Sequence, residues 1–141
     1  MPIKTEKITL ATEGFTDIHD ITPQVGAALK KVALQNGVVT VFVSGSTAGV
    51  TTIEYEPGLL KDLPAAFEKL APMNTRYRYH HDDTWGDGNG YAHVRAALLG
   101  PALVVPFAQG ELLLGTWQQI VLIDFDNRPR RREVVLQFMG E

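Results

Sequence analysis

"ALVVPFAQGELLLGTWQQIVLIDFDNRPRRREVVLQFM", residues 102–139, is a succession of apolar, β-branched runs broken only by "AQG" and "DNRPRR". Runs of this composition bounded by turn residues read as strands. The expected arrangement is a three-strand antiparallel meander of "ALVVPF", "ELLLGTWQQIVLIDF" and "REVVLQFM".

The same pattern continues upstream. "VVTVFVS" at 38–44 and "VTTIEYE" at 50–56 are strand-like and flank the turn "GSTAG", while "IKTEKITLAT" at 3–12 alternates apolar and polar residues and "FTDIHDI" reads the same way. Helical signals are fewer. In "TPQVGAALKKVALQNG" Thr22 is the expected N-cap, Pro23 the first helical residue and Gly37 the stop, with Val25, Leu29, Val32 and Ala33 on one face. Leu60, Leu63, Phe67 and Leu70 recur at helical spacing, but Pro64 predicts two short pieces. A third helix is expected from Tyr91 to Leu99, stopped by Gly100 and Pro101. Strands outnumber helices and adjoin one another, so the predicted class is α+β with a mainly antiparallel sheet and about three short helices.

With 141 residues, 45% hydrophobic and 21% charged, the chain has the size and composition of one globular domain, residues 1–141. The net charge is -3 and no basic stripe is interleaved with aromatics, which argues against a nucleic-acid track. The absence of cysteine excludes disulfides, thiolate metal sites and thiol nucleophiles. No apolar run approaches a membrane span and the N-terminus lacks a signal-peptide pattern, so no membrane partner is expected and the expected compartment is the cytoplasm.

The chemistry concentrates in "HHDDTWGDGNGYAHVRAALLG", residues 80–100. His81 and His93 stand twelve positions apart across a glycine-rich loop long enough to bring both rings to one point. Neutral imidazole is a common ligand for zinc-type ions and carboxylates complete such sets, making Asp82, Asp83, Asp87 and Glu54 candidate partners. A helix N-terminus disfavours imidazolium and would keep His93 neutral. The amides of "GDGNG", with Gly88 and Asn89, suit a phosphate, and Asn89 is placed to cap the next helix. "GSTAG", with Ser46 and Thr47, and the arginines of "RPRRR" at 128–132 are weaker anion candidates. Trp117 and Gln118 of "GTWQQ" could close a pocket wall. Each also has a plain reading: a solvated loop, a tight turn, a core tryptophan, a charged hairpin.

In their order, "GSTAGVTTIEYE", "HDDTWGDGNGYAHVRAALLGPAL", "GELLLGTWQQIVLIDFD" and "RPRRR" resemble the YjbQ-like family, described as secondary thiamine-phosphate synthases, over nearly the whole chain. The resemblance implies a sheet folded on itself, a homotrimer with sites near subunit boundaries, and metal held by His81 and His93. It implies catalytic roles for Glu54, His81, Asp83 and His93, and substrate or anion contacts at Ser46, Thr47, Gly88, Asn89, Thr116, Trp117, Gln118 and Arg130. Gly45 stands where many members carry a histidine, so two imidazoles plus Glu54 or Asp83 is the set this chain can build. The implied reaction joins a pyrimidine pyrophosphate to a thiazole phosphate. Zinc or nickel fits paired histidines, and magnesium fits a phosphorylated substrate. A metal-dependent hydrolase of a small phosphorylated or amide metabolite, and a binding protein for a small anion, are the alternatives.

Overall fold

A computed structural model describes residues 1–73 and 78–141. Its strands are β1 (Ile3–Thr12), β2 (Asp17–Asp20), β3 (Gly37–Val43), β4 (Ala48–Ile53), β5 (Ala102–Ala108), β6 (Glu111–Leu112), β7 (Gln119–Asp124) and β8 (Arg130–Gly140). The helices are α1 (Thr22–Val32), α2 (Leu59–Leu70), α3 (His81–Trp85) and α4 (Gly90–Leu99). All strand pairings are antiparallel, in a five-stranded sheet ordered β1-β8-β3-β5-β6 and a three-stranded sheet ordered β2-β7-β4. The α+β class holds, with one helix more than expected.

The two sheets face each other, and the helices α2 and α4 cover the far side of the smaller one. Ile120 and Leu122 of β7 pack with Val39, Val41, Val134 and Leu136 of the larger sheet. Val121 and Ile123 point the opposite way, against Phe67, Tyr91, Ala92 and Ala96. Val25 and Leu29 place α1 in the first of these cores.

This layering overturns the meander. β5, β7 and β8 do not pair with one another: β7 lies between β2 and β4, while β8 lies between β1 and β3. Burial explains the separation. β7 is buried without a break from Ile120 to Asp124 and needs cover on both faces, whereas β8 alternates and suits a sheet with one face outward. The run 111–125 accordingly splits into β6 and β7 around residues 113–118. The strands flanking "GSTAG" are likewise no hairpin, because the chain crosses there from the larger sheet to the smaller.

Local corrections have local causes. α2 is one helix through Pro64, whose fixed φ is helical and whose cost is one backbone bond; Leu63 and Phe67 hold both halves on the same core. α1 begins after Ile21 as N-cap, with the Asp20 carboxylate accepting the Thr22 amide at 3.0 Å, while the Thr22 hydroxyl accepts the Ile120 amide at 2.7 Å. Ala33, in the left-handed region, ends the helix ahead of Gly37, which lets Leu34 turn into the core. Among the described residues, no helix is long and apolar enough to cross a membrane.

Candidate active site

His81 opens α3 and His93 lies in the first turn of α4, with the segment between them reversing through Gly86 and Gly88, at φ +63° and +72°. Left-handed backbone at these two positions is what glycine supplies cheaply. The reversal brings the imidazoles together, with ring centroids 4.3 Å apart and planes tilted by 38°. Two carboxylates flank the His81 Nδ1 atom: Asp82 Oδ1 at 3.3 Å and Asp87 Oδ1 at 3.7 Å. His81, Asp82 and Asp87 each offer one ligand atom within 4.8 Å of the others, a set that could hold a metal ion.

His93 stands beside this group. Burial pushes its pKa below the ordinary histidine value and the neighbouring His81 pushes the same way; Asp87, backbone hydrogen bonding at Ser46 and Asp126 only partly compensate. The ring is therefore neutral at pH 7, as expected, but for a different reason from the helix dipole. Beyond the ring lies a hollow of about 340 Å³, lined by Gly45, Ser46, Ala48, His93, Ala96, Ala97 and Pro101.

The glycine-rich loop does not present its amides to an anion. Asp82 Oδ1 accepts the Gly90 amide at 3.0 Å, and Asp87 Oδ1 accepts the Asn89 amide at 3.1 Å. The protein's own carboxylates occupy the place expected for phosphate. Asn89 is buried and does not cap α4 with its side chain; it donates to Asp126 Oδ1 at 3.2 Å and accepts the Asn127 amide at 2.9 Å. Gly88 is exposed beside Asn127.

Asp126 is the hub of a network that sequence reading missed. Its Oδ2 accepts Thr47 Oγ1 at 2.9 Å and pairs with Arg130 Nε at 3.0 Å. Burial would push this carboxyl up, but hydrogen bonds from Thr47, Asn89 and Arg130 outweigh it and hold the pKa below the ordinary value. Arg132 binds both oxygens of Asp124, at 2.6 and 2.9 Å, and also donates to Thr47. The turn carrying Ser46 and the loop carrying Asn89, which lie on either side of His93, are thus tied to one buried cluster. A signal existed: Asp124 and Asp126 are charges in the otherwise apolar run "IVLIDFD", with arginines just beyond.

The remaining candidates lie elsewhere. Asp83 turns away from His81 and accepts Arg78 Nε at 2.8 Å; hydrogen bonding to that guanidinium holds its carboxyl below the ordinary carboxylate value despite the opposing desolvation. Glu54 is exposed just past β4, whose six residues put it about 20 Å along the strand from the Ser46–Thr47 turn. Thr116, Trp117 and Gln118 belong to that far end, where Gln118 bonds Thr52 Oγ1 at 3.1 Å and Trp117 is 71% exposed. Within one protomer neither Glu54 nor Asp83 completes the histidine pair. Asp82 and Asp87 do, while Ser46 and Thr47 adjoin it and Arg130 is committed to Asp126.

A family model described as UPF0047 protein YjbQ-like matches residues 6–141. A UPF0047 protein of Archaeoglobus fulgidus is 39% identical over 131 residues, covering 93% of this chain and 98% of its own. One from Methanothermobacter thermautotrophicus is 32% identical over 141 residues, covering 100% and 95%. Among solved structures, a YbjQ-like protein of unknown function from Sulfolobus solfataricus superposes with a TM-score of 0.90 at 29% identity, covering 99% of each chain. A hypothetical protein from Aeropyrum pernix gives 0.87 at 32% identity, covering 98% and 99%.

Proposed function

The chain belongs to the UPF0047 YjbQ-like family, and from that premise we propose a metal-assisted enzyme acting on a small phosphorylated metabolite at the His81–His93 centre. The observation that carries this reading is the stacking of the two rings at 4.3 Å with Asp82 and Asp87 on His81 Nδ1. One imidazole and two carboxylates form a mixed nitrogen and oxygen donor set, which suits zinc or manganese and is less suited to magnesium. A divalent ion there would supply charge neutralisation for a phosphoryl group. His93, neutral and adjoining the hollow, is placed to accept a proton.

Thiamine-phosphate synthesis is the reaction that the resemblance implies. The thiazole nitrogen bonds to the pyrimidine's methylene carbon as the bond from that carbon to pyrophosphate breaks. One observation favours hydrolysis as a second reading: the Asn89 and Gly90 amides are engaged by Asp87 and Asp82 and are not available to a departing pyrophosphate. The test supplies protein and zinc, manganese or magnesium with both phosphorylated precursors and, separately, with a panel of phosphate monoesters. The expected result is metal-dependent thiamine phosphate, lowered by roughly a hundredfold in His93→Ala. Phosphate release without that product selects hydrolysis. Neither product with any of the three ions overturns the proposal.

A homotrimer belongs to the same proposal. Glu54, Thr116, Trp117 and Gln118 lie too far from their own protomer's histidines to serve them, and subunit association would lay one protomer's far end against the next protomer's centre. Light scattering at three times the protomer mass is the expected result, and a monomeric mass would remove this part.

A further inference from the structure

The guanidinium of Arg132 is nine-tenths buried, yet its hydrogen bonds are made by two nitrogens only. Nε and Nη2 bond to Asp124, and Nη2 also to Thr47, whereas Nη1 has no partner among the described residues. Nη1 lies directly under Gly45, where a Cβ would come within 2.6 Å of it. Gly45 is exposed and lines the hollow beside His93. Replacing its hydrogen by any side chain would shut the guanidinium off from that hollow. The arginine itself has little freedom to retreat, because Asp124 grips it on both oxygens.

The rest of the hollow is apolar and formed by unlike elements. Ala96, Ala97 and Pro101 continue the face of α4 that starts at His93, and Ala48 and Gly45 form the opposite wall. In the cluster below, Arg130 and Arg132 are matched by Asp124 and Asp126, so no net charge attracts a polyanion from a distance. What is offered is a directed pair of N–H donors at one end and small apolar side chains at the other.

We propose that this hollow binds a small organic oxyanion, its anionic head on Arg132 Nη1 beneath Gly45 and its apolar body against Ala96, Ala97 and Pro101. The proposal rests on the functional reading only in taking His93 as the neighbour of the bound molecule, and it narrows the substrate to an anion with a compact apolar body.

The test is a titration of the full chain with phenylphosphonate, benzoate and benzyl alcohol, following the methyl signals of Ala48, Ala96 and Ala97 by NMR, with zinc binding measured separately by calorimetry. At least one of the two anions is expected to shift those methyls and to bind at least tenfold more tightly than benzyl alcohol; the preferred anion tells carboxylate from phosphoryl recognition. Gly45→Ala, which leaves every charged group in place, should remove the tenfold advantage. Ala97→Leu, at an exposed helix position, should weaken both anions and alcohol alike. Equal binding of anion and alcohol, unmoved methyls, or full affinity in Gly45→Ala would overturn the proposal. Zinc binding without anion binding sinks this proposal and spares the metal centre; anion binding without zinc binding does the reverse.

Discussion

The two ends of the smaller sheet carry the motifs that mark the family, yet they are built differently. At the histidine end, Asp126, Asp124, Arg132, Thr47 and Asn89 are buried and bond across |i−j| separations up to 112, as between Thr12 and Asp124. At the other end, Trp117 is 71% exposed and Gln118 is held by exposed bonds to Gly115 and Thr52. Buried polar groups must be satisfied inside the chain, so the first end is determined by the protomer alone. The second end leaves a large aromatic in water, which is the mark of a surface awaiting a partner.

The largest expected effect is at the buried end. Asp124→Ala strands the Arg132 guanidinium without its carboxylate and should cost about 3–5 kcal/mol in chemical denaturation. A loss below about 1 kcal/mol would show that water reaches the cluster and that the two ends are not so different.

Next come glycines. A Cβ at Gly90 would meet the Tyr79 Cβ at 2.3 Å, whereas one at Gly115 would meet only the tip of Gln118 at 3.3 Å. Gly90→Ala is expected to cost about 1–3 kcal/mol. Gly115→Ala should stay within about 0.5 kcal/mol. Equal losses in thermal melts would break the contrast.

The pH response sharpens it further. Because burial lowers the folded pKa of His93, the unfolded chain binds more protons, so this histidine's share of stability is complete above about pH 6.5 and falls as pH drops through that value. A midpoint below 6.5 is expected from imidazole NMR signals. It should rise in His81→Ala, since the neighbouring ring is one of the depressing influences. A midpoint at or above 6.5 would mean the ring is freely solvated.

The smallest effect is expected from Trp117→Ala. In dilute protein, denaturation should shift by no more than about 0.5 kcal/mol, as for an exposed side chain. A loss that grows with protein concentration would show that another copy covers it.

Much of the fold was legible because local patterns encode it. The strands at 3–12, 38–44, 50–56 and 102–139, the helix at 22 and the helix after Tyr91 correspond to observed elements, since periodicity and turn residues act over a few residues. Pairing was not legible, because it depends on which face of each strand finds cover. The unbroken apolar run of β7 against the alternation of β8 was the overlooked clue. At the site, the meeting of His81 and His93 could be anticipated from one pliable loop. The choice of Asp82 and Asp87 over Asp83 and Glu54 could not: α3 points Asp83 outward to Arg78, and the length of β4 carries Glu54 away.

The chain by itself determined its class, its turns and the segment where imidazoles and carboxylates would gather, because these follow from residue type and spacing over a dozen positions. Only the tertiary structure decided that Asp124, Asp126 and Arg132 would form a common buried cluster under the Ser46 turn, and that Arg132 would keep one nitrogen facing out beneath Gly45. These groups are up to some ninety residues apart, and what brings them together is the requirement that charges removed from water find opposite charges and donors in the same interior.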